Sequence, residues 1–142
     1  MPNRIATLAL CALGLAGIAR AEDLLPGLWE LSLEAKVESE PGFRPGPMKV
    51  NQCLTKDATD PSALLGPVAS GGASDCTYSK KSYSGQDFRF TMECAGTFEL
   101  TTTGEVTFSA TSLRGVLTTS SAVDGKKVEF RSTLLGRRLG DC

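Results

Sequence analysis

Histidine is absent from the 142 residues of the chain, and this absence restricts the chemistry of the protein more than any other feature of its composition. Without histidine there is no Ser-His-Asp or Cys-His nucleophilic pair, no imidazole acid-base catalyst and no common catalytic zinc site. Aromatic residues are also scarce, at 6%. The composition therefore favours a non-enzymatic role. The alternative is a small hydrolase or isomerase that uses carboxylate or lysine chemistry.

The chain also lacks extremes of charge and hydrophobicity, with 41% hydrophobic residues, 22% charged residues and a net charge of −1. This balance is typical of a globular protein and excludes a disordered tail protein, a collagen-like repeat and a multi-pass membrane protein. The length suits one domain. Beyond the N-terminus no segment resembles a membrane span, so none is expected in the exported chain.

The N-terminus has the features of a cleaved secretory signal. A basic start at Arg4 precedes an apolar run over residues 5–18, which is shorter than the roughly 20 residues that a spanning helix needs. Ala19 and Ala21 place small residues at the two positions that signal peptidase reads. We therefore predict a signal peptide over residues 1–21, cleavage after Ala21 and a single β domain over residues 22–142.

The first part of that domain contains two predicted strands and a short helix. From Trp29 to Val37 apolar and polar residues alternate, which is the pattern of a half-buried strand with one wet face. Residues 48–54 are a second candidate strand. Residues 60–66 place an N-cap aspartate before a proline and end on a glycine, so they predict one or two helical turns. A flexible loop over residues 66–74 is expected to follow.

The rest of the chain is predicted to form hairpins. In an antiparallel hairpin the residue numbers of two facing partners always add to the same total, so the position of the turn fixes the register. The turns are placed at residues 84–86, 95–97 and 109–112 and at Asp124-Gly125, the strongest turn signal in the chain. They predict the following pairs: Tyr83 with Asp87, Tyr78 with Met92, Cys76 with Cys94, Cys94 with Phe98, Met92 with Leu100, Phe108 with Leu113, Gly104 with Leu117, Thr119 with Phe130, and Ser121 with Val128.

This register keeps the large apolar residues on one face, which supports it because a slip of one residue would turn the whole set to solvent. The set on this face is Phe88, Phe90, Met92, Phe98, Leu100, Val106, Phe108, Leu113, Leu117, Val128, Phe130 and Leu134. The predicted fold is all-β. It is an antiparallel meander of about seven strands that forms a curved sheet or open barrel, with one short helix.

Four cysteines remain after the signal: Cys53, Cys76, Cys94 and Cys142. No CxxC pair occurs and the gaps are long, so neither a zinc site nor a redox site is expected. An even number in an exported chain favours two disulfides, for which three connectivities exist. The hairpin register selects Cys76–Cys94 and leaves Cys53–Cys142. Cys53 has the parity of the polar residues of its strand, so we expect a bulge or the strand end to turn it.

Charge is unevenly distributed. Acidic residues predominate over residues 22–40, and the C-terminal stretch is basic, with Lys126, Lys127, Arg131, Arg137 and Arg138. The two stretches are interpreted as solvated faces of a first and a last strand that attract each other. A phosphate-binding patch is disfavoured because no aromatic residues are interleaved and the net charge is negative. No nucleic-acid partner is therefore expected.

Three short motifs resemble a known family: Pro26-Gly27-Leu28-Trp29-Glu30, Gln52-Cys53-Leu54-Thr55 and Arg138-Leu139-Gly140-Asp141-Cys142. With Asp75-Cys76 and Cys94 between them, the chain resembles the bacterial domain-of-unknown-function 3617 family of small exported proteins over nearly all of its predicted mature length. The resemblance implies a periplasmic location in a Gram-negative bacterium. It implies no catalytic or binding residues, because the family has no established activity.

We therefore predict a periplasmic, non-enzymatic binding or interaction module that uses the apolar face of its sheet. Its partner would be a hydrophobic small molecule or an envelope protein. The competing interpretation is that this face is filled by its own side chains and the helix. No cofactor, metal or catalytic residue is predicted.

Overall fold

A computed structural model describes residues 23–96 and 98–142. The predicted signal peptide, with Ala19 and Ala21, lies outside these residues. The described residues form seven strands and one helix. In chain order these are β1 (Gly27–Val37), β2 (Met48–Leu54), α1 (Pro61–Ala69), β3 (Cys76–Ser84), β4 (Asp87–Ala95), β5 (Glu99–Phe108), β6 (Ser112–Val123) and β7 (Lys126–Gly140).

The seven strands of the described residues form one antiparallel sheet in the order β2-β1-β7-β6-β5-β4-β3. From β3 to β7 each strand pairs with the next in a meander. The chain order is broken once, because β1 inserts between β2 and β7. β2 and β3 are the two edges and do not pair with each other, so the sheet is open and is not a closed barrel. The predicted all-β fold is confirmed in this open form.

One face of the sheet carries α1 and is called the inner face; the opposite face is the outer face. The alternation predicted for the first strand is confirmed, since Trp29, Leu31 and Leu33 are buried between more exposed neighbours. β4 and β5 alternate in the same way. The core of the described residues contains Leu24, Trp29, Leu31, Leu33, Leu54, Leu64, Leu65, Val68, Ala69, Phe88, Phe90, Met92, Cys94, Val106, Phe108, Leu113, Leu117 and Leu134.

The helix begins as predicted but ends later. The Asp60 side chain accepts from the Ser62 amide as an N-cap, and Pro61 occupies the first turn. The helix then continues through Pro67 to Ala69, so the prediction that it ends at Gly66 is wrong, and the loop that follows is confined to residues 70–75. Pro67 is tolerated because the Ala63 carbonyl, which its missing N–H leaves free, accepts from the Gln52 side chain at 3.3 Å.

The hairpin of β3 and β4 has a shorter turn than predicted. Ser84 pairs with Asp87 and Tyr83 pairs with Phe88, so the predicted pairing of Tyr83 with Asp87 is wrong. A bulge between Tyr78 and Lys80 then shifts the register by one residue. The predicted pairs of Tyr78 with Met92 and of Cys76 with Cys94 are therefore confirmed beyond the bulge.

The hairpin of β4 and β5 has a longer turn than predicted. Cys94 pairs with Leu100 and Met92 pairs with Thr102, so the predicted partners are wrong by two positions. Because the error is even, the face of every strand residue is unchanged. Phe98 is the exception, since it lies outside the paired strand and is 70% exposed. The backbone N–H of Ala95 donates to the Asp75 carbonyl, which fixes the end of β4 before this turn.

The last two hairpins have the predicted registers. Gly104 pairs with Leu117 and Phe108 pairs with Leu113. Thr119 pairs with Phe130 and Ser121 pairs with Val128. The turn between β6 and β7 places both Asp124 and Gly125 at positive φ, 50° and 75°, which is the backbone conformation that an Asp-Gly turn supplies.

The attraction predicted between the acidic and basic stretches is present where β1 and β7 pair. Arg137 Nη2 lies 3.0 Å from Glu30 Oε1, and the Arg137 Nε–H donates to the same oxygen at 3.1 Å. Lys49 of β2 lies 3.7 Å from that carboxylate on the other side. The charges of three neighbouring strands therefore meet on the outer face.

Candidate functional site

The N-terminal end of α1 is fastened to the edge strand β3 by two tyrosines. The Tyr83 hydroxyl donates to the Asp60 carboxylate, with both oxygens at 2.7 Å. The Tyr78 hydroxyl donates to the Ser62 carbonyl at 2.7 Å. The Tyr83 ring stacks on Phe88 with 4.8 Å between centroids, so the same side chain connects the helix to the core. We call the contact between Tyr83 and Asp60 the latch.

Ionisation of the latch groups favours the closed contact at neutral pH. Partial burial would raise the pKa of the Asp60 carboxyl, but hydrogen bonds from Ser62 and Tyr83 and the charge of Lys81 outweigh it, and the net shift is downward. Burial and the hydrogen bond to Asp60 raise the pKa of Tyr83. Burial and the charge of Asp60 raise that of Tyr78. At neutral pH the latch is therefore a neutral phenol that donates to a carboxylate.

The middle and the C-terminal end of α1 are held by polar groups from two other strands. Gln52 of β2 donates to the Ala63 carbonyl. The hydroxyl of Thr102, the buried polar residue of the core, donates to the Ala69 carbonyl at 2.8 Å. That hydroxyl also lies 3.0 Å from the hydroxyl of Thr119 on β6. Because the bonds come from β2, β3 and β5, α1 bridges the two open edges of the sheet.

The two predicted disulfides are present in the structure. One cysteine of the first precedes α1 in the chain, and one cysteine of the second follows it. Cys53 bonds to Cys142 with a Cα–Cα distance of 5.7 Å, and Cys76 bonds to Cys94 with a distance of 3.9 Å. Residues 54–75, which carry α1, thus run between two covalently anchored strand ends.

The expectation that a bulge or strand end turns Cys53 is wrong. β2 pairs with β1 without a register shift, and Cys53 keeps the outer-face direction of its polar neighbours. Leu28 of β1 pairs with Cys53 on one side and with Gly140 of β7 on the other. Cys142 follows Gly140 by two residues and so reaches Cys53 across β1 on the outer face.

Part of the inner face extends beyond α1. α1 packs against β2 and β5, and β5, β6 and β7 continue past the row of Thr102, whose hydroxyl holds the C-terminal end of α1. Near this end Ala35 and Val37 of β1 and Val128 and Phe130 of β7 share the inner face but are only half-buried. We call these four residues the open corner. Val37 pairs with Phe130 and Phe130 pairs with Thr119, so the open corner adjoins the Thr102 and Thr119 hydroxyls at the end of α1.

The outer face is polar and shallowly grooved. A depression of about 780 Å³ lies over β4 to β7, and a second of about 680 Å³ extends to β1 and β2. Leu135 and Arg114 line both depressions. On this face Glu30 contacts Arg137 and Lys49, and Glu105 lies 3.7 Å from Arg89.

The sequence located the apolar face and the four cysteines, but it missed the residues that fasten the helix. Tyr78, Tyr83 and Thr102 come from strands far from α1 in the chain. The only relevant sequence signal is the spacing of five residues between Tyr78 and Tyr83. Under strict alternation this spacing places the two tyrosines on opposite faces of β3. The bulge at residue 79 restores both tyrosines to the inner face, and no sequence pattern marked that bulge.

The described residues contain neither a cluster of metal ligands nor a helix able to span a membrane. Residues 23–96 and 98–142 contain no group of three or more cysteine or acidic side chains arranged to hold a metal ion. Within the same residues no helix has the length and apolar character needed to span a membrane.

Comparison with known proteins identifies a family. No curated protein and no solved structure matches the chain. A family model with the description "Protein of unknown function (DUF3617)" matches residues 24–142, which include every strand, α1 and the four disulfide cysteines. This confirms the resemblance inferred from the terminal motifs. The chain belongs to the DUF3617 family.

Proposed function

We propose that the domain is a non-enzymatic binding module of the periplasm that takes a hydrophobic small molecule on its inner face, with the open corner as the first contact. The observation that carries the proposal is the half-burial of Ala35, Val37, Val128 and Phe130 on the face that is otherwise the core. An apolar face that continues into solvent beyond the covering helix is a common form of ligand site.

The size of the open corner favours a small molecule over an envelope protein. A stable protein interface buries about 800 Å² on each partner, whereas the open corner consists of four half-buried side chains. Its margins are polar, with the hydroxyls of Thr119, Ser121 and Ser132 on the same face of neighbouring strands. A few polar groups around an apolar floor are typical of sites for small ligands.

The proposed location rests on the cysteines and on the predicted signal. All four cysteines of the exported chain are paired, and structural disulfides persist in oxidising compartments such as the periplasm. The signal over residues 1–21, with cleavage after Ala21, supplies the route of export. Isolation of the protein from cells and N-terminal sequencing tests both parts, because an N-terminus at Glu22 is expected.

Binding is tested with the uncharged dye N-phenyl-1-naphthylamine, whose fluorescence rises in apolar surroundings. We expect saturable binding that is weakened about three- to tenfold in Phe130→Ser, since Phe130 is already half-buried and burial of the rest of its side chain contributes about half of the roughly 1.5–3 kcal/mol of a full phenylalanine. Leu135→Ser is the matched control. It removes an apolar residue of the same strand that is 58% exposed on the outer face, and its binding should equal that of the unmodified protein.

Two results would contradict the proposal. One is the lack of a saturable dye signal with the folded, disulfide-bonded protein. The other is equal loss of binding in both variants, which would place the site on the outer face or nowhere in particular. Native mass spectrometry of protein purified from the periplasm addresses the alternative partner. A stoichiometric co-purifying protein whose complex is lost in Phe130→Ser would assign the open corner to a protein interface instead.

A further inference from the structure

The covering helix has little stability of its own. α1 has nine residues, contains both Gly66 and Pro67, and is followed by Gly71 and Gly72. Helices of this length do not persist in water without tertiary contacts. Glycine and proline lower the stability of a helix interior further. α1 is therefore helical because the sheet holds it, and a helix that leaves the sheet will also unwind.

The contacts that hold α1 are a few polar bonds near its two ends and a short apolar stripe. Tyr83 and Tyr78 bind the first turn, Thr102 binds the Ala69 carbonyl, and Leu64 and Leu65 are fully buried beneath the helix. None of these contacts belongs to the backbone ladder of the sheet. Loss of all of them would leave the pairs between strands intact.

The disulfides confine a release of α1 from the sheet to the segment between Cys53 and Cys76. Cys53 is fixed to Cys142 and Cys76 is fixed to Cys94. Leu54 also pairs with β1, and the Asp75 carbonyl accepts from Ala95, so the chain on either side of residues 55–74 stays in place. Without these bonds, movement of the helix would pull on the edge strands β2 and β3. With them, the intervening segment can detach as a loop between two fixed points.

The open corner leads directly under this segment. Phe130 pairs with Thr119, and the Thr119 hydroxyl meets that of Thr102, which holds the last turn of α1. Beyond this point the inner face continues with Leu117, Leu134 and Leu33, all buried. An apolar ligand that settles on the open corner therefore lies against the C-terminal end of the helix and in line with the core beneath it.

We propose that residues 55–74 form a lid and that the ligand is an unbranched hydrocarbon chain, as in a fatty acid or a lipid, which replaces α1 on the inner face. This inference rests on the proposed function and specifies its ligand and its regulation. The buried inner face of the sheet carries mainly leucine, valine, phenylalanine and methionine side chains from several strands. A flexible chain matches that surface and takes over the contacts that Leu64, Leu65 and Val68 make in the closed state.

A lid of this kind makes affinity vary inversely with stability. If only the open state binds, the apparent affinity is the intrinsic affinity multiplied by the open fraction. A substitution that weakens the closed state therefore improves binding, and one that strengthens it impairs binding. If the site were preformed, a substitution that weakens the closed state would lower the affinity or leave it unchanged.

The test uses parinaric acid, a fluorescent fatty acid, and two variants that shift the lid in opposite directions. Tyr83→Phe removes the latch but keeps the ring that stacks on Phe88, so we expect affinity to rise about five- to tenfold and the urea midpoint to fall. Pro67→Ala stabilises the helix at an exposed position, because alanine restores a backbone N–H that can donate to the Ala63 carbonyl and is far more favourable than proline in a helix interior. Affinity should then fall about two- to fivefold while the midpoint rises.

Thr107→Val is the matched control for the latch. Its hydroxyl donates to Asp87 at 2.7 Å, the same type and length of bond as that of Tyr83, but on the outer face away from α1. The urea midpoint should fall while the affinity for parinaric acid stays unchanged. Hydrogen exchange gives an independent readout, because the amides of residues 64–70 should lose protection when the fatty acid binds.

The outcomes separate the two proposals. Failure of parinaric acid and of the naphthylamine dye to bind the unmodified protein overturns the proposed function and the lid together. Binding that depends on Phe130 but is unchanged or weakened by Tyr83→Phe, and not weakened by Pro67→Ala, overturns the lid alone. Increased protection of residues 64–70 on binding has the same consequence, since the helix would then remain over the ligand.

Discussion

At the scale of single residues, Gly104 occupies a place on the inner face with very little room for a side chain. A Cβ atom at this position would lie 2.5 Å from Cζ of Phe90 and 2.9 Å from Cδ2 of Leu117, closer than real Cβ atoms approach such groups. We expect Gly104→Val to destabilise the protein by about 1–3 kcal/mol through overpacking. The urea midpoint of the purified variant measures the effect.

Gly42→Val is the control for this prediction. Gly42 lies in the exposed connection between β1 and β2, and no heavy atom lies within 4 Å of a Cβ built there. The same substitution should leave the midpoint nearly unchanged. Equal midpoints for Gly104→Val and the unmodified protein would mean that Phe90 moves aside at no cost, in conflict with a core in which that ring is 4% exposed.

Residue positions were predicted from the sequence where alternation alone decides them. Gly104 and its partner Leu117 were identified because the turn between β5 and β6 has a simple geometry and the strands have no bulge between them. The bulge expected at Cys53 is not needed. Alternation gives the outer-face direction of Cys53 correctly, but it does not show that Cys142 lies on the same face. Cys142 is brought to the outer face by the pairing of β1 with β7, which is a long-range feature.

At the scale of the elements, the strands were predictable and the helix end and the turn lengths were not. The end of α1 at Ala69 depends on Gln52, a side chain on another strand that satisfies the carbonyl freed by Pro67. The turn before β5 depends on the bond between Ala95 and Asp75. Local propensity contains no information about either partner, so Gly66 does not mark the end of the helix and Gly96 does not mark the length of the turn.

The two disulfides give a prediction at this same scale. Cys53 and Cys142 are 89 residues apart, and Cys76 and Cys94 are 18 apart. On the loop-entropy model the longer closure stabilises by about 4.5 kcal/mol and the shorter one by about 3 kcal/mol. We expect the double variant Cys53→Ser/Cys142→Ser to lose about 1.5 kcal/mol more than Cys76→Ser/Cys94→Ser.

Urea unfolding of the two double variants, with the slope checked for two-state behaviour, measures the difference. A non-reducing peptide map of the protein isolated from cells is the necessary companion. It should contain the peptide of Cys53 joined to that of Cys142, the peptide of Cys76 joined to that of Cys94, and no free thiol from these four residues. A peptide that joins Cys53 to Cys76 would contradict both the hairpin register and the anchored ends of the lid.

At the scale of the whole molecule, the sequence predicted one antiparallel sheet with a continuous apolar face but could not decide whether the sheet closes. Closure depends on the strand order at its ends, and β1 inserts between β2 and β7 by contacts that span most of the chain. The open form leaves two edges. Lys80 and Lys81 on β3 and the bulge beside them protect one edge from pairing with another chain, and α1 bridges the gap between the two.

The distribution of charge over the whole molecule gives the last prediction. Of the five basic residues near the C-terminus, three face a carboxylate: Arg137 at Glu30, Lys127 at Glu129 and Arg138 at Asp141. Each such pair is worth little to stability at the surface, but each places a negative charge where a phosphate would bind. We therefore expect no retention on DNA or on anionic vesicles at physiological salt.

The measurement is retention on immobilised DNA, and co-sedimentation with anionic and neutral vesicles, over a series of salt concentrations. Glu30→Gln is the informative variant, since it frees Arg137 and Lys49 together on the outer face. Some retention of this variant at low salt, which disappears steeply as salt rises, shows that the carboxylate masks the basic residues. Salt-sensitive retention of the unmodified protein at physiological ionic strength would contradict the prediction. The C-terminal stretch would then be a phosphate-binding surface despite its ion pairs.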